Sequence, residues 1–380
     1  MDSLAKAIPR SHRNLHYNGL TVRAYSTDCS DLNWLEEFLC PFFEPVDGVS
    51  YDCSVALTAD NRRFAETLSR GPEPGGEQID CFALDSSWVR LPLWKSSGNK
   101  QVICDDEHKV FYYISPEKTE IEILTTTGNR AARIALMRVV REFAMAHSYR
   151  TGGLFIHGAA FSVAGRCVVV AGPKGAGKTT LLMHVLHQQR ARFVTNDRLL
   201  VFFNDQGAVG HGMPTIVSIR EESLAMLPGL YCRLVNCSYH PASSLIEEAG
   251  GRPIHLGRGG RCSLSPAQFC HFLQVHPTPQ DQLGALVFPH VTATQGTIEL
   301  QRLTPQGAAN RLAGTLFRAH SCQKTASLFT LSRDSQGDNP QTVENLCLKL
   351  ASQVPCFDGF LGLEAYEGTA SASLLIGLVS

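Results

Sequence analysis

A chain of 380 residues has room for two domains or one large elaborated one. Hydrophobic residues make up 44% and charged residues 18%, an ordinary globular mix that excludes wholesale disorder. Lys and Arg (34) nearly cancel Asp and Glu (35) to a formal charge of -1, so the overall balance points to neither nucleic acid nor an anionic membrane as a partner.

The segment Met1 to Arg13 has no apolar stretch of leader length, and runs such as Val168–Ala171 and Leu374–Val379 are too short to cross a bilayer, so a cytoplasmic location is expected. The 13 cysteines form no CxxC pair and no Cys/His cluster at zinc spacing, and they read as reduced, mostly buried thiols. Cys232 and Cys237 flank a turn but have no second pair nearby, which leaves packing as their expected role.

Residues 1–125 read as a strand-rich α+β module, a first domain suited to substrate recognition because it holds no catalytic constellation. Short alternating runs predict strands at Leu20–Ser26, Ser54–Thr58, Ser87–Trp94, Gln101–Cys104, Val110–Ile114 and Glu120–Leu124. Residues 69–78, rich in Gly, Pro and Glu, predict a loop. A helix over Asn129–His147 follows from the spacing of Ala132, Ala135, Val139 and Phe143, and it is expected to open the second domain, residues 126–380.

Beyond it the order becomes strand (Leu154–His157), turn, strand (Arg166–Ala171), Gly-rich loop, helix (Lys178–Gln189) and strand (Arg192–Thr195), which predicts an α/β core with a central sheet. Residues 241–262, rich in Gly, Ser and Arg, read as a loop. Helices are expected at Pro266–Gln274 and Thr304–Arg318, and strands at Leu283–Phe288 and Thr297–Leu300.

The most specific signal is Gly172-Pro-Lys174-Gly175-Ala176-Gly177-Lys178-Thr179, which fits G-x-x-x-x-G-K-[ST] between an apolar strand and a helix. Glycines let successive backbone N–H groups turn toward a phosphate, and Lys178 supplies a charge for the β/γ oxygens. The Thr179 hydroxyl suits a Mg²⁺ shell, and Thr180 joins the loop residues as an expected nucleotide contact. Asn99-Lys100 continues as Gln-Val rather than into an Asn-Lys-x-Asp guanine signature, so ATP is the expected nucleotide.

Phosphoryl transfer requires positioning, charge neutralisation, a metal and a carboxylate near the acceptor hydroxyl. Asp197 ends the first strand after the P-loop helix, where the carboxyl ends of strands line a ligand crevice. His157 ends the strand before the P-loop strand; it supports Asp197 if the strand ends are neighbours and is otherwise a structural histidine. Glu221 and Glu222 either approach the metal or simply start a short helix. Gly257-Arg-Gly-Gly-Arg261 reads as a solvated loop or as an arginine lid over phosphates.

Taken together, Ile156-His157-Gly158, the P-loop, Phe193-Val-Thr-Asn196-Asp197-Arg198 and Gly212-Met-Pro214 resemble the HPr kinase/phosphorylase superfamily, in particular its HPr-kinase-related branches. The resemblance covers roughly residues 150–225. It implies a P-loop kinase core of HPr-kinase type, with Lys178 and Thr179 handling phosphate and Mg²⁺, Asp197 as general base, His157 supporting it and Glu222 as a further metal contact. HPr kinases are hexamers, and self-association is an expectation of the resemblance alone. They usually carry an acidic pair where this chain has Asn196-Asp197, and an Arg-Gly-x-Gly stretch that is not evident after Glu222. A serine-type hydroxyl on a peptide, another protein or a metabolite therefore fits better than HPr as the acceptor. The competing reading is a P-loop ATPase with a regulatory or partner-binding role, in which Asp197 serves water instead.

Overall fold

Asn18-Gly19 lies between two runs of alternating apolar residues and takes positive φ at both positions (46° and 81°), the geometry that lets a two-residue turn follow the twist of its strands. It joins the first two strands of a computed structural model that describes residues 11–48, 50–72, 76–82, 88–96, 98–106, 108–188, 190–220, 223–224, 227, 229, 261–291, 296, 298–317, 340–362 and 370–379. Two compact units divide at Arg150–Thr151, the second comprising Thr151–Arg318 and Gln336–Ser380.

The first unit contains β1 (Ser11–Tyr17), β2 (Leu20–Ser26), α1 (Cys29–Leu39), β3 (Glu44–Pro45), β4 (Cys53–Ala59), α2 (Asn61–Ser69), β5 (Gln78–Phe82), β6 (Trp88–Lys95), β7 (Gln101–Asp105), β8 (Val110–Ile114), β9 (Glu120–Thr125) and α3 (Ala132–Arg150). Its nine strands form one sheet in the order β3-β1-β2-β4-β9-β8-β7-β6-β5. The β2–β4 and β4–β9 pairs are parallel, and α1 and α3 pack on this part of the sheet. Asp28 and Asp60 cap α1 and α2 by accepting from the N–H groups of Ser30 and Arg63, which satisfies first-turn donors. Arg63 of α2 grips the buried Glu122 of β9 through both carboxylate oxygens, at 2.6 and 2.7 Å.

The helix expected to open the second domain instead completes the first. Ala135, Leu136, Val139 and Val140 of α3 are buried, and the helix packs on β2, β4 and β9, so the division falls at residue 150 rather than 125. The Asn99-Lys100 pair forms the turn between β6 and β7, where Asn99 takes φ 59° and the Ser96 N–H donates to the Lys100 carbonyl.

The second unit contains β10 (Leu154–Val163), β11 (Arg166–Ala171), α4 (Lys178–His187), β12 (Arg192–Thr195), β13 (Arg198–Asn204), β14 (Gly207–Met213), β15 (Val217–Arg220), β16 (Arg261–Leu264), α5 (Pro266–Leu273), β17 (Gln280–Val291), β18 (Ile298–Arg302), α6 (Pro305–Ala313), α7 (Pro340–Gln353), β19 (Cys356–Leu361) and α8 (Ala370–Gly377). Most of its pairings are antiparallel, and they close on themselves: β11 pairs with β10, β10 with β13, β13 with β14, β14 with β17, and β17 in parallel with β11. The long β17 carries β14 and then β19 along one edge while β11 holds the other. The expected α/β core is therefore a mixed sheet whose parallel part is β11-β17-β19.

One core cluster spans Ile156, Val169, Ala171, Leu199, Leu286 and Phe288 of the strands and Ala308, Leu312, Cys347 and Leu350 of α6 and α7. The helix α4 packs on β10 and β11 and meets α8. The helix expected over Thr304–Arg318 ends earlier, because Gly314 caps it and Thr315–Phe317 turns extended to pair with β10. No described helix is long and apolar enough to cross a membrane.

Candidate nucleotide-binding site

The P-loop joins β11 to α4. Gly175 and Gly177 take φ 90° and 84°, a region that costs a residue with a Cβ, and Gly177 is the N-cap of α4. The helix therefore opens with its unpaired N–H groups and positive dipole end at the loop. Gly172 is confined as well, since a Cβ there would lie 3.2 Å from the Ala176 Cβ. Pro173, Lys174 and Gly175 are exposed, whereas Ala176 is buried beneath the loop.

The ammonium of Lys178 donates to the carbonyls of Gly172 (2.7 Å) and Pro173 (2.9 Å), which holds its charge inside the curve of the loop. Burial pushes its pKa below the usual lysine value, and the negative charge of Asp197 works against that shift. Thr179 is half-buried at the start of the helix, while the hydroxyl of Thr180 donates to Ser223 Oγ at 3.2 Å.

Asp197 reaches the same end of the sheet by a different route. β12 and β13 follow one edge of β10 in line, with Asn196–Asp197 as the step between them. Opposite that step, the Gly158 N–H donates to the Asp197 carbonyl at 2.9 Å, and Gly158 also pairs with Ala171, the last residue before the P-loop. The antiparallel hairpin β10–β11 thus carries the loop and Asp197 to one level, on either side of β10.

The Asp197 carboxylate lies between two bases. His157 Nε2 is 3.2 Å from Oδ1 and Arg198 Nε is 3.4 Å from Oδ2. The His157 ring packs on Phe317 with centroids 5.1 Å apart, and the Arg198 guanidinium stands 4.7 Å over the same ring. The backbone holds Phe317 there, because its N–H donates to the Phe155 carbonyl and the His157 N–H donates to Thr315. Asn196 faces inward, accepting from Thr215 Oγ1 and donating to the Ile216 carbonyl. The structure brings together His157, Lys178 and Asp197, a meeting that the sequence left conditional on neighbouring strand ends. It adds Arg198, which stands in sequence beside Asp197, and Phe317, which has no local signal because it arrives from over a hundred residues away.

Glu221 and Glu222, residues 257–260 of the arginine-rich run, and Cys232 and Cys237 lie outside the described residues. Among the described residues, no group of three or more His, Cys, Asp or Glu side chains could hold a metal by itself. The hydroxyl of Thr179 and the carboxylate of Asp197 are hard oxygen donors of the kind taken by Mg²⁺ that arrives on phosphates, so the residues fit a nucleotide-borne ion rather than a protein cage.

Residues 166–255 match the family described as CobW/HypB/UreG, nucleotide-binding domain. No curated protein matches the chain. Among solved structures, the Hpr(Ser) kinase/phosphatase from Coxiella burnetii aligns with 59% of this chain and 87% of its own, at 9% identity and a TM-score of 0.26, values too low to speak for kinship. The chain carries a P-loop nucleotide-binding domain of mixed α/β architecture.

Proposed function

We propose that the chain is an ATP-dependent phosphotransferase that moves the γ-phosphoryl group to a hydroxyl of a peptide, a protein or a small metabolite. The observation that supports it most is the Asp197 carboxylate, level with the P-loop and held between His157 and Arg198. A group that only capped a turn would not need both oxygens oriented. The motif series from Ile156 to Pro214 that resembles the HPr kinase/phosphorylase superfamily points the same way.

In this reading the P-loop N–H groups and Lys178 hold the β- and γ-phosphates, and Thr179 and Asp197 would hold a Mg²⁺ ion, which would supply neutralisation of phosphate charge. Asp197 Oδ aligns the acceptor hydroxyl and takes its proton as the oxygen bonds to phosphorus and ADP leaves. Little basicity is required, because the loose transition state places small demand on the nucleophile. His157 and Arg198 fix the carboxylate so that it need not reorient during transfer.

The match of residues 166–255 to a nucleotide-binding domain family favours a second reading, nucleoside triphosphate hydrolysis coupled to a partner, with Asp197 aligning water. Both are tested by incubating the chain with γ-labelled ATP, Mg²⁺ and fractionated lysate, beside Lys178→Ala and Asp197→Asn. Label on a discrete acceptor with wild type alone supports transfer; label released only as phosphate supports hydrolysis.

A further inference from the structure

β11, β17 and β19 run parallel, so their carboxyl ends lie side by side at the P-loop. Pro289 of β17 reaches the first loop glycine, since an ideal Cβ on Gly172 would lie 3.5 Å from its Cδ. The next residue, His290, pairs in register with Phe360 of β19, and the two rings stack with centroids 5.4 Å apart and 24° between their planes.

Both belong to a built cluster. Asp358 is buried at 6% exposure and binds two partners: His290 Nε2 at 3.0 Å from Oδ1 and Arg311 Nη2 at 3.2 Å from Oδ2. The side chains of His290 and Arg311 remain 35% and 48% exposed. A buried carboxylate is weak evidence for stability, because its desolvation offsets much of what its partners return. Here it fixes an aromatic surface and a guanidinium at the carboxyl ends of β17 and β19, on the face of the sheet that α6 covers, in a cluster that phosphoryl transfer itself does not use.

Asp197 lies on the β10 side of the P-loop strand, and β17 and β19 lie on the other. A triphosphate whose γ end faces Asp197 has room to extend its α end, ribose and base across the carboxyl ends of the strands toward β17 and β19. We propose that His290 and Phe360 form the stacking platform for the base of the nucleoside triphosphate, with Asp358 and Arg311 holding that platform in place. This rests on the proposed function, which sets the γ end at Asp197. The flat, partly exposed ring pair suits any heterocyclic base, since stacking tolerates sequence and every base has a π-face.

The test is calorimetric titration of the full chain, in Mg²⁺, with ATP and separately with inorganic tripolyphosphate, which has phosphates and no base. His290→Ala and Phe360→Leu are expected to weaken ATP about tenfold and to leave tripolyphosphate within about twofold, while Phe360→Trp retains ATP binding. Equal losses for both ligands, or no loss for either, would overturn the platform, since an ion pair that only ties α6 to β19 cannot tell a nucleotide from its phosphates. Lys178→Ala separates the levels. If it weakens both ligands while the ring variants match wild type, the platform alone fails. If it weakens neither, the P-loop reading fails and the platform with it.

Discussion

Gly158 is where the fold leaves least room beside the site, and replacing it with alanine tests the placement of Asp197 against the P-loop. An ideal Cβ there would lie 3.0 Å from the Val170 carbonyl oxygen, 3.2 Å from Val169 Cγ1 and 3.5 Å from Ala171 Cα. Two of these three neighbours are backbone of the strand that feeds the loop, so no rotamer change relieves the contact; β10 and β11 must separate. Overpacking of this kind costs about 1–3 kcal/mol. For a unit of this size that lowers the unfolding midpoint by roughly 2–12 °C. The same separation strains the Gly158 N–H bond to the Asp197 carbonyl and shifts the start of the loop, so ATP affinity should fall with stability. Gly377→Ala is the control: it sits at the exposed end of α8 with nothing within 4 Å, and should leave the midpoint unchanged or raise it slightly. Thermal unfolding by circular dichroism, following the transition that ATP shifts, together with ATP titration, reads both effects. A Gly158→Ala chain that unfolds with wild type and binds ATP equally would refute the close approach of β10 to the P-loop strand.

Phe317→Leu should lower turnover several-fold with the KM for ATP little changed, because it loosens His157 and Arg198 around Asp197 without touching the loop; Phe317→Tyr should restore it, and steady-state kinetics of the three chains decides. His184, buried in α4, has its pKa lowered to about 4 by burial and then by the neighbouring charge of His187. The folded state resists this proton while the unfolded chain takes it, so stability present above about pH 6.5 is lost as pH falls toward 4, by about 2–3 kcal/mol in all. Urea midpoints at pH 7 and pH 4.5 should differ less in His184→Gln than in wild type; equal slopes would discard the assignment. In the first unit, Arg63→Ala leaves the Glu122 carboxylate buried without its bidentate partner and should cost about 3–5 kcal/mol, whereas Arg63→Met with Glu122→Leu should recover most of it in denaturant melts.

Apolar and β-branched composition located the strands around Leu20–Ser26 and Val110–Ile114, and helical spacing of apolar residues located the helix that became α3. Both passed over β1, although the Asn18-Gly19 turn beside it is a strong hairpin signal. They also passed over β13, β14 and β19, whose side chains face the core on both surfaces for part of their length and so show no alternation. The domain border was misplaced because a helix's apolar face does not say which sheet it covers; only packing on β2, β4 and β9 assigns α3 to the first unit.

The phosphate loop was written in local sequence, since its glycines, lysine and threonine act through backbone turns and a helix terminus that the same eight residues build. Asp197 was legible as a strand-end residue, whereas His157, expected at the end of a strand, lies inside β10, which runs on to Val163; their meeting depends on β12 and β13 sharing one edge of β10. Phe317 and the His290–Phe360–Asp358–Arg311 cluster could not be read in advance. Their partners lie far apart along the chain, and only closure of the sheet through β17 and the early end of α6 at Gly314 bring them to the P-loop end.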